Sequence, residues 1–108
     1  MKIQNLLESY LPTLNLYSIH TFNNTDDYIT GMIVLQDKAS DWKYSFDIEI
    51  DKATMDYNIS EFEVRDRNDS VVAEPDDENE TYREAYQSAQ EFITKYIRSI
   101  VSRMERSK

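Results

Sequence analysis

The chain has 108 residues, 40% of them hydrophobic, which fits one domain able to bury roughly two-thirds of its unfolded surface. Its net charge of −9 disfavours direct contact with nucleic-acid phosphate and favours partners with basic surfaces. It contains no cysteine, which excludes a disulfide scaffold, a thiolate metal site and a cysteine nucleophile, and points to a reducing, cytoplasmic setting.

Ile3, Leu6, Leu7 and Tyr10 share the 3-4 spacing of one helical face, with Leu11 beside them. Pro12 ends that pattern, because the residue before a proline is pushed out of the α region. The spacing predicts a short N-terminal helix. The segment has no continuous apolar run, so neither a signal peptide nor a membrane span is expected.

Residues 14–22 read as a strand. Tyr17, Ile19 and Thr21 share one face; Leu16, Ser18, His20 and Phe22 share the other. Asn23, Asn24, Thr25, Asp26 and Asp27 form a turn cluster. Residues 28–36 read as a second strand, apolar on both sides. It contains Gly31, the only glycine, which inside a strand marks a bulge or the close approach of another backbone.

After a polar turn at 37–41 comes the clearest alternation. Trp42, Tyr44, Phe46, Ile48 and Ile50 fall at every second position, and Lys43, Ser45, Asp47, Glu49 and Asp51 fill the gaps. Such a strand is apolar on one face and wet on the other, and it is expected at the centre of the sheet. A turn at 51–54 leads to Met55, Tyr57 and Ile59, but the next apolar pair is Phe62 and Val64. The step from 59 to 62 breaks period two, and one extra residue near Ser60–Glu61, a β-bulge, restores the phase. A charged turn at 65–69, a short edge strand at 70–73 and an acidic loop at 76–80 follow.

Tyr82, Tyr86, Ala89, Ile93, Tyr96, Ile100 and Met104 recur at steps of four and three. They predict a long amphipathic helix from about Thr81 to Arg106, opened by a capping box of Thr81 and Glu84. Such a helix outruns a typical strand, so its far end is expected to overhang the sheet. The apolar residues there, Ile97, Ile100, Val101 and Met104, are candidates for a homodimer seam. The fold class expected is α+β in two layers. An antiparallel meander of four to five strands carries the short N-terminal and long C-terminal helices on one face.

Candidates for chemistry are few. His20 is the only histidine, and no nucleophile or orienting partner stands at a telling spacing. Asp66, Asn68 and Ser70 imitate the first half of a calcium loop, but Val71 replaces the glycine and Asp77 the final glutamate that such a loop needs. Four N-x-S/T sequons, at Asn23, Asn58, Asn68 and Asn79, read as chance in a chain rich in Asn, Ser and Thr. No cofactor or metal is implied, and the sequence points away from an enzyme.

Charge is the one remaining hint. Residues 1–80 hold six Lys and Arg against eighteen Asp and Glu; residues 81–108 hold six against three. Asp47, Glu49 and Asp51 line the wet side of the central strand, and Asp56, Glu61 and Glu63 continue that row on the next. Asp76, Asp77, Glu78 and Glu80 add to the same field if their loop lies nearby. The expectation is a non-catalytic binding module, of the inhibitor, immunity or nucleic-acid-mimic kind, whose acidic sheet face occupies a basic site on another protein. The alternative is an accessory subunit that associates through its C-terminal helix. Neither nucleic acid nor a membrane is expected as a partner.

Overall fold

Five strands follow one another in sequence and in space. The computed structural model describes residues 14–73 and 80–106. Its elements are β1 (Leu14–Asn24), β2 (Tyr28–Asp37), β3 (Lys43–Asp51), β4 (Tyr57–Arg65), β5 (Val71–Ala73) and α1 (Glu80–Arg106). The sheet order is β1-β2-β3-β4-β5, and every neighbouring pair is antiparallel. The α+β meander is therefore as expected, with β3 in the middle. The N-terminal helix expected before Pro12 lies outside the described residues.

The turns explain why the strands double back where they do. Asp37, Asp51 and Asp66 each open a tight turn, and each carboxylate accepts backbone N–H bonds from inside it. Each turn also contains a residue in the left-handed region, at Asp41 (φ 63°), Met55 (φ 65°) and Asp69 (φ 65°). At the β1–β2 turn the Thr25 hydroxyl accepts from the Asp27 and Tyr28 amides instead.

Alternation sets the core. Ile29, Ile33 and Leu35 of β2, Tyr44, Phe46, Ile48 and Ile50 of β3, and Phe62 and Val64 of β4 are all buried on one face. The bulge expected near Ser60–Glu61 is present. Ser45 pairs with Glu63 but Asp47 pairs with Ser60, so β4 carries one extra residue there, with Glu61 at φ 54°. This returns Phe62 to the core, where its ring stacks on Phe46 at 5.8 Å.

β1 departs from the expected two faces. Register shifts between Leu16 and Ser18 and between Thr21 and Asn23 insert Tyr17 and Phe22 as extra residues. Leu16 therefore moves to the covered face, level with Leu35, and joins Ile19 and Thr21 there; Tyr17 is exposed.

Helix α1 crosses the covered face from β4 to β1. Tyr82 and Tyr86 meet Phe62 edge-on at 5.4 and 5.1 Å. The Tyr57 hydroxyl donates to the Gln90 carbonyl at 3.0 Å. Beyond a kink at Tyr96 (φ −114°, ψ 21°), Ile100, Val101 and Met104 are buried over the β1–β2 end. The expected overhang is thus not found. Strands β1 to β4 run to 9–11 residues, about 30–36 Å, and a helix of 27 residues, about 40 Å, lies diagonally across them. The helix starts at Glu80, so Thr81 lies inside it rather than at a capping position.

Candidate functional site

The face opposite α1 is the one to which the sequence assigned the acids. Among the described residues α1 is the only helix, and it packs on the first face. The second face is built by the alternate residues: Ser18 and His20 on β1, Thr30, Met32 and Val34 on β2, Ser45, Asp47 and Glu49 on β3, and Asn58, Ser60 and Glu63 on β4. Three cross-strand rows can be read from the register. His20, Met32, Asp47 and Ser60 form one; Asn23, Thr30, Glu49 and Asn58 form the next; Ser18, Val34, Ser45 and Glu63 form the third.

These rows sort the six carboxylates expected to act together. Asp47 stands between Met32 and Ser60, and Glu49 between Thr30 and Asn58, so neither has a like charge directly opposite. Neither makes an ion pair or a side-chain hydrogen bond among the described residues. The other four are engaged or displaced. Glu63 accepts from Arg65 Nε at 2.8 Å, and this bond, with the carboxylate's charge, raises the guanidinium above its ordinary range. Asp51 Oδ1 accepts the Ala53 and Thr54 amides at 2.8 and 3.2 Å and so holds the β3–β4 turn. Asp56 belongs to that turn, where its carbonyl accepts the Asp51 amide, and it precedes β4 rather than lining it. Glu61 is the extra residue of the bulge.

Asp76, Asp77 and Glu78 lie outside the described residues. Glu80 sits in the first turn of α1, where the helix dipole favours negative charge.

On the same face as Asp47 and Glu49 the structure places side chains that the sequence reading did not single out. Phe22, Tyr17, Tyr28 and Met32 leave 56%, 54%, 47% and 37% of their surface exposed. Phe22 turns its ring edge-on to His20 at 5.4 Å, and Met32 lies in the same row as His20 and Asp47. The signal was present in the apolar bulk on both sides of residues 14–36. Periodicity alone could not say which side a helix would cover. At the opposite end of the face the cations are engaged. The Lys43 ammonium lies 4.1 Å from the centre of the Tyr17 ring, and Arg65 is tied to Glu63.

The remaining candidates have ordinary surroundings. His20 is exposed between Phe22 and Met32. Asp66 uses its carboxylate within its own turn, and no group of potential metal ligands forms among the described residues. Ile100, Val101 and Met104 are buried in the chain's own core and Ile97 packs against it, so the expected dimer seam is not an exposed surface. No helix among the described residues is long and apolar enough to cross a membrane.

No family model, no curated protein and no solved structure matches this chain.

Proposed function

We propose that the protein is a non-catalytic binding module that docks a basic surface of another protein onto the uncovered face of its sheet. The observation that carries this reading is the position of Asp47 and Glu49. Both project from the middle strand, on the face away from α1, with no cation among the described residues to neutralise them. A pair of unneutralised carboxylates on a body of net charge −9 steers and orients a cationic partner. Of the other acids of the expected row, Asp51 caps a turn and Glu63 pairs with Arg65, while Asp56 precedes β4 and Glu61 is the bulge residue, so Asp47 and Glu49 are the two that project from the strands of this face without a partner among the described residues. Inhibition of a basic site, in the manner of an immunity protein or a nucleic-acid mimic, is the activity that suits such a surface. Self-association through α1 has less support, because Ile100, Val101 and Met104 are buried.

Affinity purification from the native host, with mass spectrometry of what is retained, tests the reading. The wild-type chain is expected to retain a basic protein that rising salt releases and that the Asp47→Lys/Glu49→Lys double variant does not retain. Recovery of the same proteins by both baits overturns the proposal.

A further inference from the structure

The face opposite α1 is divided along its length. On the β1–β2 side, Phe22, Tyr28 and Met32 are exposed, with Val34 half-buried behind them. On β3, Asp47 and Glu49 make no ion pair among the described residues. Exposed apolar side chains grouped on one face are costly to leave in water and mark a contact surface; on β2 the group is interrupted by Thr30. The register fixes the width of this part of the face. His20 on β1 and Asp47 on β3 share one row with Met32 between them, so the face from β1 to β3 spans two strand spacings, about 10 Å, with Met32 one spacing from Asp47. An α-helix with its side chains is about 10–12 Å across.

We infer that the occupant of this face is a basic amphipathic helix of a partner protein, laid along β2. This rests on the acidic docking reading above and adds the shape and patterning of the partner. The helix sets its apolar stripe on Phe22, Tyr28 and Met32, and a flank of lysine or arginine on Asp47 and Glu49. The two strips require different chemistry from the same ligand. A plain polycation satisfies the carboxylates and leaves the apolar strip wet. A plain apolar surface covers the strip and buries two carboxylates without partners, which is strongly unfavourable. A cationic amphipathic segment meets both, and its cations also find the faces of Phe22 and Tyr28 favourable.

Charge separates this occupant from three others. A second copy brings another body of net charge −9 against Asp47 and Glu49. A single-stranded nucleic acid stacks on exposed rings, as Phe22 and Tyr28 offer, but sets its phosphates against the same carboxylates. An anionic membrane meets the same repulsion.

The test is an NMR titration of the full chain, ¹⁵N-labelled, with two synthetic peptides of one composition. In the first, leucine and tryptophan occupy one helical face and lysine and arginine the adjoining face. In the second, the same residues are scrambled so that no face forms. The first peptide is expected to shift the amide resonances of Phe22, Thr30, Met32, Asp47 and Glu49. It is also expected to bind about tenfold or more tightly than the second. Phe22→Ser with Met32→Ser should remove that preference while weaker cationic binding remains. Asp47→Lys with Glu49→Lys should remove binding of both peptides. All four positions lie outside the buried core, and circular dichroism of each variant checks that it stays folded.

Equal binding of the two peptides, lost only on charge reversal, overturns the amphipathic-helix occupant and leaves acidic docking standing. Binding that survives charge reversal, or that maps away from these residues, overturns both, as does no shift with either peptide at millimolar concentration. Tighter binding of oligothymidylate or of anionic vesicles than of the first peptide also overturns both.

Discussion

The Thr21 hydroxyl of β1 donates to the Met104 carbonyl of α1 at 2.7 Å, across 83 residues of sequence. Met104 belongs to the last turn of the helix, where carbonyls have no partner within the helix itself. The bond therefore closes an open helix end and locks it to the sheet. It is reached because Gly31, paired with Thr21, has no side chain. A Cβ there would collide with the His20 carbonyl oxygen and come within 2.8 Å of Met104 Cε. Thr21→Val should lower stability by about 1 kcal/mol through the lost hydrogen bond. Gly31→Ala should lower it by about 1–3 kcal/mol through overpacking against backbone. Urea unfolding midpoints measure both, and an unchanged midpoint for Gly31→Ala would show that the β1 backbone and the helix end both give way at no cost.

Phe62 joins the sheet to the first half of the helix. Its ring meets Tyr44, Phe46, Tyr82 and Tyr86, at centroid distances of 5.1–6.1 Å. Phe62→Ala should cost about 3–5 kcal/mol, the range for a large aromatic removed from a core, and near-ultraviolet circular dichroism should fall with it. Phe62→Leu, which keeps most of the volume, should cost clearly less.

The bulge that places Phe62 rests on Glu61 at φ 54°, a conformation that strains any residue with a Cβ. Glu61→Gly should therefore leave stability unchanged or raise it by up to about 1 kcal/mol. Glu61→Val, branched at Cβ, should lower it by about 1–2 kcal/mol. Thermal unfolding of the two variants distinguishes backbone strain from loss of the charge, since both remove the carboxylate.

Tyr44 gives the domain an alkaline limit. Burial, with the Asp37 carboxylate adding to it, pushes its phenol from 10 up to about 12. The folded state thus holds a proton that the unfolded state releases. The contribution is fully present below pH 10 and is lost as pH rises from about 10 to 12, at up to about 1.4 kcal/mol per pH unit. Unfolding midpoints followed through that range should fall less steeply in Tyr44→Phe than in the wild type. Absorbance at about 295 nm should show one of the tyrosines ionising only as the fold is lost.

Asp47→Lys and Glu49→Lys should each change stability by less than about 0.5 kcal/mol, because both side chains lie on the open face without partners among the described residues. Calorimetry checks this. A larger loss would mean that these carboxylates have a structural role, and binding lost in the same variants could then be put down to unfolding.

Much of the architecture could be read from spacing because it is a local property. The alternation from Tyr44 to Ile50, the out-of-phase pair Phe62 and Val64, and the stripe from Tyr82 to Met104 each state a period and a break in it. The two bulges of β1 left no such trace. Leu16, Tyr17, Ile19 and Phe22 put apolar bulk on both faces, so inserting Tyr17 or Phe22 produces no visible slip. The residues expected as a dimer seam lie buried for a different reason. Strand lengths of 9–11 residues and the diagonal course of α1 give Ile100, Val101 and Met104 a place in the core.

The order of residues alone determined that this chain makes a sheet with an apolar side and a side bearing Asp47 and Glu49. Side-chain direction in a strand depends only on counting by twos. Which carboxylates stay free was decided by the tertiary structure. Asp51 and Glu63 share that side with them, yet one is held by backbone amides and the other by Arg65. Neutralisation depends on distances between groups, and those exist only once strands are in register and turns are closed. The folded arrangement likewise decided that Phe22, Tyr28 and Met32 lie exposed on the face away from α1, since the gap at Gly31 seats the helix on the other.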